Sequence, residues 1–324
     1  MLRHECSRIP VVPASLSYAI ATDQDSIMIP PSHLTDILVI RSFAATDRIG
    51  SVLEDAFQCF PFRNTTWEVK IRFVDVDTAD QLVDTLNAHT GAIVIFDCHG
   101  TFEPSEYLSS LKIGAAAVHL WELRKRIRRM PPIVLLSACD TLPVDGSHAS
   151  VATSMLLLGA RTVVATLLPI NAVKGAIFLA RLVFRIGEFV PLALNNRLRI
   201  SWREVVAGMT KMLHVTEVLW HLAERRMIDR AVYEELHMQA NGDINNLDPA
   251  WFEKTTERLS QHLGCSLLQA RKHLSDDVGL TDALAHVQLG HPEVLWLVGS
   301  EAESLTAGSV PPWDPKVSIV TLSG

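Results

Sequence analysis

Two short runs of apolar residues end in side chains that are suited to nucleophilic chemistry. The first run, Ala92–Phe96, leads into Asp-Cys-His-Gly, and the second, Pro132–Leu136, leads into Ser-Ala-Cys-Asp-Thr. Both runs are continuous and rich in β-branched residues, which is typical of buried parallel strands. Since the sites of open α/β sheets lie at the carboxyl ends of the strands, we expect His99 and Cys139 at one edge of a sheet.

A histidine beside a cysteine can generate a nucleophile at neutral pH. The thiolate is the attacking species, and an imidazole can take the proton from the thiol and later give it to a leaving amine. Gly100 has no Cβ, so its backbone can approach a substrate closely, and its N–H together with that of Cys139 can stabilise an oxyanion. The alternative is that both cysteines, Cys98 and Cys139, are buried structural thiols and that His99 is structural too.

These two motifs, His-Gly and Ser-Ala-Cys-Asp-Thr, resemble those of the CHAT peptidases, a caspase-like family named for its association with tetratricopeptide repeats. The likeness continues through residues 157–170, where the family has a helix ending in Gly-Ala-Arg, a strand and then Trp-Pro-Val. Leu168 replaces the usual tryptophan, and Asn171 stands where aspartate is common. The resemblance spans residues 90–186 closely and residues 35–300 loosely.

The resemblance implies a role for each motif residue. His99 would be the general base, Cys139 the nucleophile, and the Gly100 and Cys139 N–H groups the oxyanion hole of a reaction that hydrolyses peptide bonds through a thioacyl-enzyme. Asp97 lies two residues before His99 on the same side of a strand. It would orient the imidazole or line the substrate pocket, and the alternative is that it only makes hydrogen bonds at the end of the strand. Cys98 points to the other side and is interpreted as structural. Four residues are candidates for substrate contact: Asp97, Ser137, Asp140 and Asp145.

Composition narrows the class of protein. The 324 residues carry a net charge of −7, which argues against a general nucleic-acid binder. Five cysteines without a Cys-x-x-Cys pair indicate a reduced, cytoplasmic chain, and the first residues show no apolar signal segment.

The apolar stretch Val151–Ile170 carries Arg161 at its centre, so we expect a buried helix and strand rather than a membrane span. No zinc-ligand spacing or dinucleotide fingerprint occurs, and we expect neither a metal nor a cofactor.

The pattern of strands and helices predicts the fold. The predicted elements ahead of the motifs are the strand Asp36–Arg41, the helix Asp47–Phe60 with Asp47 in its cap region, the alternating outer strand Trp67–Val74 and the helix Thr78–His89. This βαβα alternation indicates a mostly parallel central sheet with helices on both faces, the three-layer caspase-like sandwich that the resemblance also implies.

Two segments between the motifs have their own predictions. Residues 101–117 are expected to form a loop at the rim of the substrate site. Val118–Met130 is expected to be a helix whose last turns carry five basic residues between Arg124 and Arg129. Those cations are either a solvated helix end that suits the helix dipole or a docking surface for an acidic partner or RNA.

Changes in composition predict four regions. Residues 1–33 would be an extension with edge strands, 34–213 the caspase-like core, 214–288 a helical insertion or subdomain, and 289–324 a tail whose late strand, Val294–Val298, returns to the sheet. In the helical region we expect helices at Ala223–Gln239 and Trp251–Leu263. Ser201 and Glu204 fit a capping box that opens the preceding helix.

Three functional hypotheses follow. The first is a cysteine endopeptidase acting on a protein or peptide substrate, regulated by a protein partner such as a tetratricopeptide-repeat protein in bacterial signalling or defence. The second is a catalytically silent caspase-like module that binds proteins through its helical region. The third is an adaptor that responds to nucleic acid through Arg124–Arg129, although the net charge led us to expect no direct nucleic-acid ligand.

Overall fold

The computed structural model describes residues 25–62, 65–103, 108–137, 150–168, 170–275 and 281–300. Cys139, Asp140, Asp145 and most of the predicted extension 1–33 lie outside these residues. The chain divides into a helical unit, Val206–His286, and an α/β unit formed by the chain on either side of it.

A six-stranded sheet forms the centre of the α/β unit, in the order β11-β9-β8-β4-β2-β3. Its strands are β2 (Asp36–Ser42), β3 (Lys70–Asp75), β4 (Ile93–Cys98), β8 (Ile133–Ser137), β9 (Thr162–Thr166) and β11 (His286–Gly290). The pairs from β9 to β3 are parallel. Every residue of β4 is buried, whereas the edge strand β3 alternates between exposed and half-buried positions. The continuous apolar runs therefore became central strands, and the alternating run became an outer one.

Helices cover both faces of this sheet. The helices of this unit that lie ahead of the helical unit are α1 (Pro31–Leu34), α2 (Val52–Gln58), α3 (Ala79–Ala88), α4 (Val151–Leu157) and α5 (Ala172–Leu194). The apolar sides of α3 and α4 share one buried core with Val94, Phe96 and Cys98 of β4. Because α2 and α5 pack together and α5 contacts β8 without joining that core, they cover the opposite face. The predicted three-layer α/β sandwich with a mostly parallel sheet is confirmed.

The segment after His99 is a small antiparallel sheet, and the prediction of a loop over 101–117 was wrong. Its strands are β5 (Gly100–Glu103), β6 (Leu108–Ile113) and β7 (Ala116–Val118), in the order β5-β6-β7. Gly114 makes the β6–β7 turn with a φ of 59°, a left-handed conformation that glycine adopts without strain. Leu111 and Ile113 join the buried core, so pairing and burial together stabilise strands that are too short to recognise individually.

The basic segment is also not the helix that we predicted. A 3₁₀ helix spans only Leu120–Lys125, and the chain then runs to β8 without regular secondary structure. Pro131 and Pro132 prevent helix from continuing into this region, because the residue before a proline disfavours the α conformation. Buried Ile127 and Met130 anchor the irregular segment instead.

A second three-stranded sheet has the order β1-β12-β10, formed by β1 (Ile27–Ile29), β12 (Leu295–Val298) and β10 (Arg199–Ser201). The late strand that we expected to rejoin the central sheet is β12, so that part of the prediction was wrong. The strand that does join the central sheet is β11, beside β9. A short 3₁₀ turn, Pro292–Val294, separates β11 from β12.

The helical unit has a core of its own. Its helices are α6 (Trp202–Glu224, which begins just before the unit), α7 (Arg230–Asn245), α8 (Trp251–Leu263), α9 (Leu267–Ser275) and α10 (Asp282–Ala285). The predicted helix Ala223–Gln239 is two helices, because the chain turns at residues 225–229 and Asp229 caps α7 by accepting from the Val232 N–H. The Ser201–Glu204 capping box is present, with each side chain bonded to the other residue's N–H.

Searches of the described part of the chain give two negative results. No helix there is both long and apolar enough to cross a bilayer. No group of three or more histidine, cysteine or acidic side chains in these residues is arranged to hold a metal ion.

Candidate active site

His99 lies at the carboxyl end of β4, at the joint between the two sheets. The central sheet ends with Cys98, and Gly100 opens β5 directly afterwards. The carbonyl of His99 accepts a 2.9 Å hydrogen bond from the Lys112 N–H of β6. The backbone of the histidine is therefore held from both sides, and its side chain is 40% exposed.

The imidazole is bound to a carboxylate that lies far away in sequence. Nε2 of His99 lies 2.6 Å from Oδ2 of Asp47, and the Phe43 ring packs edge-on against the imidazole with centroids 5.3 Å apart. The hydrogen bond from His99 is the main cause that lowers the pKa of Asp47, and the Ile49 N–H adds to it. Since an ionised carboxylate only accepts, Nε2 must carry the proton. The lone pair of the neutral ring then lies on Nδ1, where it is available as a base.

The prediction that Asp47 lies in the cap region of the following helix was wrong. The helix that follows begins at Val52, and Asp47 is not its cap but part of the turn between β2 and α2. One signal could have found it. Asp47 follows β2 just as His99 follows β4, and these two strands are direct neighbours in the sheet, so polar residues after both reach the same edge.

Asp97 is a second acid of this site, but it is not the partner of the imidazole. It is paired in register with Arg41 on β2 and with Ser137 on β8, and only 4% of it is exposed. Burial raises the pKa of Asp97 to about 7, against the opposing effects of a hydrogen bond with Ser137 and of the charges of Arg41 and His99. Its Oδ2 has no hydrogen-bond partner among the residues that the structure describes.

Arg41, the cation paired with Asp97 across the sheet, forms its ion pairs with other acids. Nε of Arg41 lies 2.6 Å from Asp75, and Nη1 lies 2.6 Å from Glu54. These hydrogen bonds raise the pKa of Arg41. Asp97 is thus left without a salt bridge in the described chain, which explains why burial determines its pKa.

Cys98 and Gly100 flank the histidine in different environments. The Cys98 thiol is buried in the core beneath α3 and α4, and burial raises its pKa, so it is unsuited to act as a thiolate. Gly100 is paired with Leu111, and because the Lys112 N–H bonds to the His99 carbonyl, this is a non-hydrogen-bonded pair. The Gly100 N–H therefore points away from β6.

Of the predicted site residues, the structure brings His99, Gly100, Asp97 and Ser137 to the carboxyl edge of β4 and β8. Ser137 is the last residue of β8 and is half-buried. The roles predicted for Cys139, Asp140 and Asp145 stay predictions, since these residues are outside the described part. Asp47 joins the site as a residue that the motifs did not reveal.

Comparison with known proteins identifies this part of the chain. No curated protein matches the sequence. The family model of the CHAT domain matches residues 39–185, a segment that runs from β2 into α5 and contains Asp47, His99 and Cys139. The family expected from the two motifs is therefore confirmed: residues 39–185 of this protein are a CHAT domain.

Proposed function

We propose that this protein is a caspase-like cysteine peptidase in which His99 is the general base, Cys139 the nucleophile and Asp47 the residue that orients the base. The observation that carries the proposal is the 2.6 Å contact between Asp47 and the accessible imidazole of His99. A histidine that only stabilised the fold would need neither an ionised partner nor exposure at the edge where sites of this architecture lie.

The proposed reaction uses these groups in turn. Nδ1 of His99 takes the proton of the Cys139 thiol, and the thiolate attacks the carbonyl carbon of the scissile bond. The N–H groups of Gly100 and Cys139 stabilise the oxyanion. The imidazolium then gives its proton to the departing amine, and a water molecule, deprotonated by the same imidazole, hydrolyses the thioester.

The sheet register supports bringing the two groups together. Asp97 and Ser137 are paired residues of neighbouring strands. Each proposed catalytic residue lies two positions after one of these paired residues, His99 after Asp97 and Cys139 after Ser137. Asp97, Ser137, Asp140 and Asp145 remain our candidates for contact with the substrate.

The setting of the reaction is also part of the proposal. Reduced thiols are typical of the cytoplasm, and we therefore propose a cytoplasmic location for the protein. By analogy with the association between this domain and tetratricopeptide repeats, we propose that a protein partner regulates the site in bacterial signalling or defence.

The test compares the parent with Cys139→Ala, His99→Ala and the control Cys59→Ala on a proteome-derived peptide library read by mass spectrometry. Cys59 has an exposed thiol, so its replacement controls for the loss of a reactive sulfur. We expect cleavage by the parent and the control only. Cleavage by Cys139→Ala at the parental rate would refute the assignment.

Thiol alkylation separates an inactive preparation from a silent protein. With limiting iodoacetamide at neutral pH, Cys139 should be modified before Cys59 and Cys265 in the parent, and this preference should disappear in His99→Ala. If no peptide is cleaved and Cys139 reacts no faster than Cys59, the protein is instead a silent interaction module.

A further inference from the structure

We infer that the exposed residues around Trp121 form a binding site for single-stranded nucleic acid. This site, the Trp121 patch, consists of Trp121, Arg124, Lys125 and Arg128, all of which are exposed. It lies in the 3₁₀ helix and in the irregular segment after it, and the proposed peptidase chemistry does not use it.

The backbone beneath the patch is fixed on both sides. Leu123 and Ile127 are buried in the core. Asn87 at the end of α3 donates to the Arg126 carbonyl at 3.0 Å and accepts from the Arg128 N–H at 2.7 Å. The backbone is therefore held on both sides of Ile127, where Arg124, Lys125 and Arg128 are exposed, and this lowers the entropic cost of binding a ligand.

Most of the positive charge in the patch is uncompensated. Arg126 is paired with Asp80 at 2.6 Å. Arg124, Lys125 and Arg128 have no acidic partner within ion-pair distance in the part of the chain that the structure describes. The neighbouring acids include Asp80, which Arg126 occupies, Asp84 one turn further along α3, and exposed Glu122. Three cations held close together attract a polyanion.

The aromatic ring favours nucleic acid over an acidic protein segment. Trp121 is 40% exposed, and the guanidinium of Arg124 lies 4.7 Å from the centre of its ring. An indole held beside cations can stack an unpaired base while the cations bind the phosphates on either side. An acidic peptide would use the cations but gain little from the ring, and the bases of a duplex are stacked on each other.

The net charge of −7 does not oppose a local site. At an ionic strength of about 0.1 M, charges farther away than about 10 Å are largely screened. The cations of the patch act at contact distance, whereas most of the acids of the chain lie elsewhere. The negative net charge therefore argues against nonspecific binding of nucleic acid over the whole surface more strongly than against binding at one small basic patch.

The patch lies at the opposite edge of the sheet from His99. It leads into the amino end of β8, where the Ile133 N–H bonds to the carbonyl of Ala92 at the amino end of β4. His99 follows the carboxyl end of β4, which is separated from the amino end by about 17 Å of strand. Substitutions in the patch therefore leave the candidate active site intact, and the two proposals can fail independently.

Binding is tested by fluorescence anisotropy with labelled oligouridylate and oligothymidylate of about ten nucleotides. Between about 50 and 200 mM salt, three phosphate contacts should give a slope of log K against log salt of about −2. The triple variant Arg124→Gln/Lys125→Gln/Arg128→Gln removes the three cations of the patch. It should bring that slope close to zero and weaken binding at least about tenfold at low salt. Trp121→Leu, which keeps the apolar bulk, should weaken binding about tenfold with an unchanged slope.

The matched control removes three exposed cations elsewhere, as Lys70→Gln/Arg225→Gln/Lys272→Gln. It changes the net charge equally and should bind like the parent. Absence of binding by the parent at low salt would overturn the proposal, and so would an equal loss in the control. Tight binding of polyglutamate with no effect of Trp121→Leu would identify an acidic protein as the ligand instead.

Discussion

The carboxylate of Asp47 determines which nitrogen of His99 carries the proton. A histidine without such a partner samples both tautomers, and only one of them presents a lone pair to a given neighbour. Through this contact a turn residue after β2 controls the chemistry of a residue after β4. The site is thus built from the ends of adjacent strands rather than from one motif.

Asp47→Asn tests this control. The amide removes the negative charge and allows the imidazole to invert its tautomer, so the rate of peptide cleavage should fall about a hundredfold or more, with a smaller change in KM. The rate of iodoacetamide modification at Cys139 should fall in parallel. Asp47→Glu should restore part of both rates. A variant that cleaves and alkylates like the parent would show that Asp47 is a surface acid only.

Asp97 should make the stability of the protein depend on pH. Its folded pKa of about 7 lies above the ordinary value of 3.8, so the unfolded chain releases this proton first as the pH rises. The stabilising contribution is therefore complete below about pH 4 and is lost progressively up to about pH 7. Asp97→Asn cannot lose a proton and should not show this loss of stability. The free energy of unfolding of the variant, relative to that of the parent, should therefore rise between about pH 4 and pH 7 by up to about 4 kcal/mol.

Urea unfolding at several pH values measures this difference. The control is Asp84→Asn, which replaces an exposed carboxyl group on α3. Its stability relative to the parent should be nearly independent of pH. An equal pH dependence in Asp97→Asn and the parent would contradict the assignment of a raised pKa to this buried acid.

At the residue scale, a residue could be placed from the sequence where a reactive side chain lies in the same motif as a predicted strand end. His99 and Gly100 could be predicted because they directly follow an apolar run. The alternation along β4 also correctly separated Cys98, which faces the core, from its neighbours. The contact between Asp47 and His99 could not be predicted from a local pattern, because it depends on the path of the turn after β2. The position of Asp47 after a strand that neighbours β4 was the one signal of it.

At the scale of elements, prediction succeeded where burial on both faces imposes a long apolar run, as in β4 and β8. It failed for β5, β6 and β7, whose three to six residues are stabilised by pairing with one another. It failed again at Leu120–Lys125, where basic residues of high helix propensity suggested a long helix. There the two prolines and the contacts of Asn87 outweigh local propensity.

Gly114 and Gly242 provide a matched test of what these elements require. At Gly114 the φ of 59° is unfavourable for other residues, and an added Cβ would lie 2.2 Å from the Asp77 carbonyl oxygen. Gly114→Ala should therefore destabilise the protein by about 2–4 kcal/mol. At Gly242, inside α7, nothing lies within 4 Å of an added Cβ, and Gly242→Ala should stabilise by about 0.5–1 kcal/mol. Thermal unfolding of both variants measures the contrast, and a Gly114→Ala protein as stable as the parent would contradict the described turn.

At the scale of the whole molecule, the helical unit has the features of an autonomous folding unit. Thirteen buried residues from α6 to α9 form its core, among them Leu219, Leu236, Trp251 and Leu259. Within the same unit, Nε2 of buried His214 donates to the Leu274 carbonyl, and its Nδ1 lies 3.1 Å from the Thr281 hydroxyl. The buried core and the hydrogen bonds of His214 are therefore both formed by residues of the unit itself.

A fragment of residues 202–286 should accordingly fold by itself. We expect a helical circular dichroism spectrum and a cooperative thermal transition, because the core is retained. Leu259→Ala, which opens a cavity in that core, should lower the stability of the fragment by about 2–5 kcal/mol. A fragment that unfolds without a transition would show that the unit depends on the rest of the chain. The domain boundaries predicted from composition stay a prediction until then.

The position of β11 has a consequence for how the protein is made. β11 follows the helical unit in sequence, yet it borders β9 in the central sheet, where the Thr162 hydroxyl donates to the Leu289 carbonyl at 2.9 Å. While the ribosome is still translating the helices, β9 has no outer neighbour, and the unpaired edge of a strand that is buried throughout invites aggregation. A nascent chain that already contains His99 and Cys139 therefore lacks a finished sheet until residue 290 has emerged, and we expect truncated copies to be substrates for chaperones and degradation.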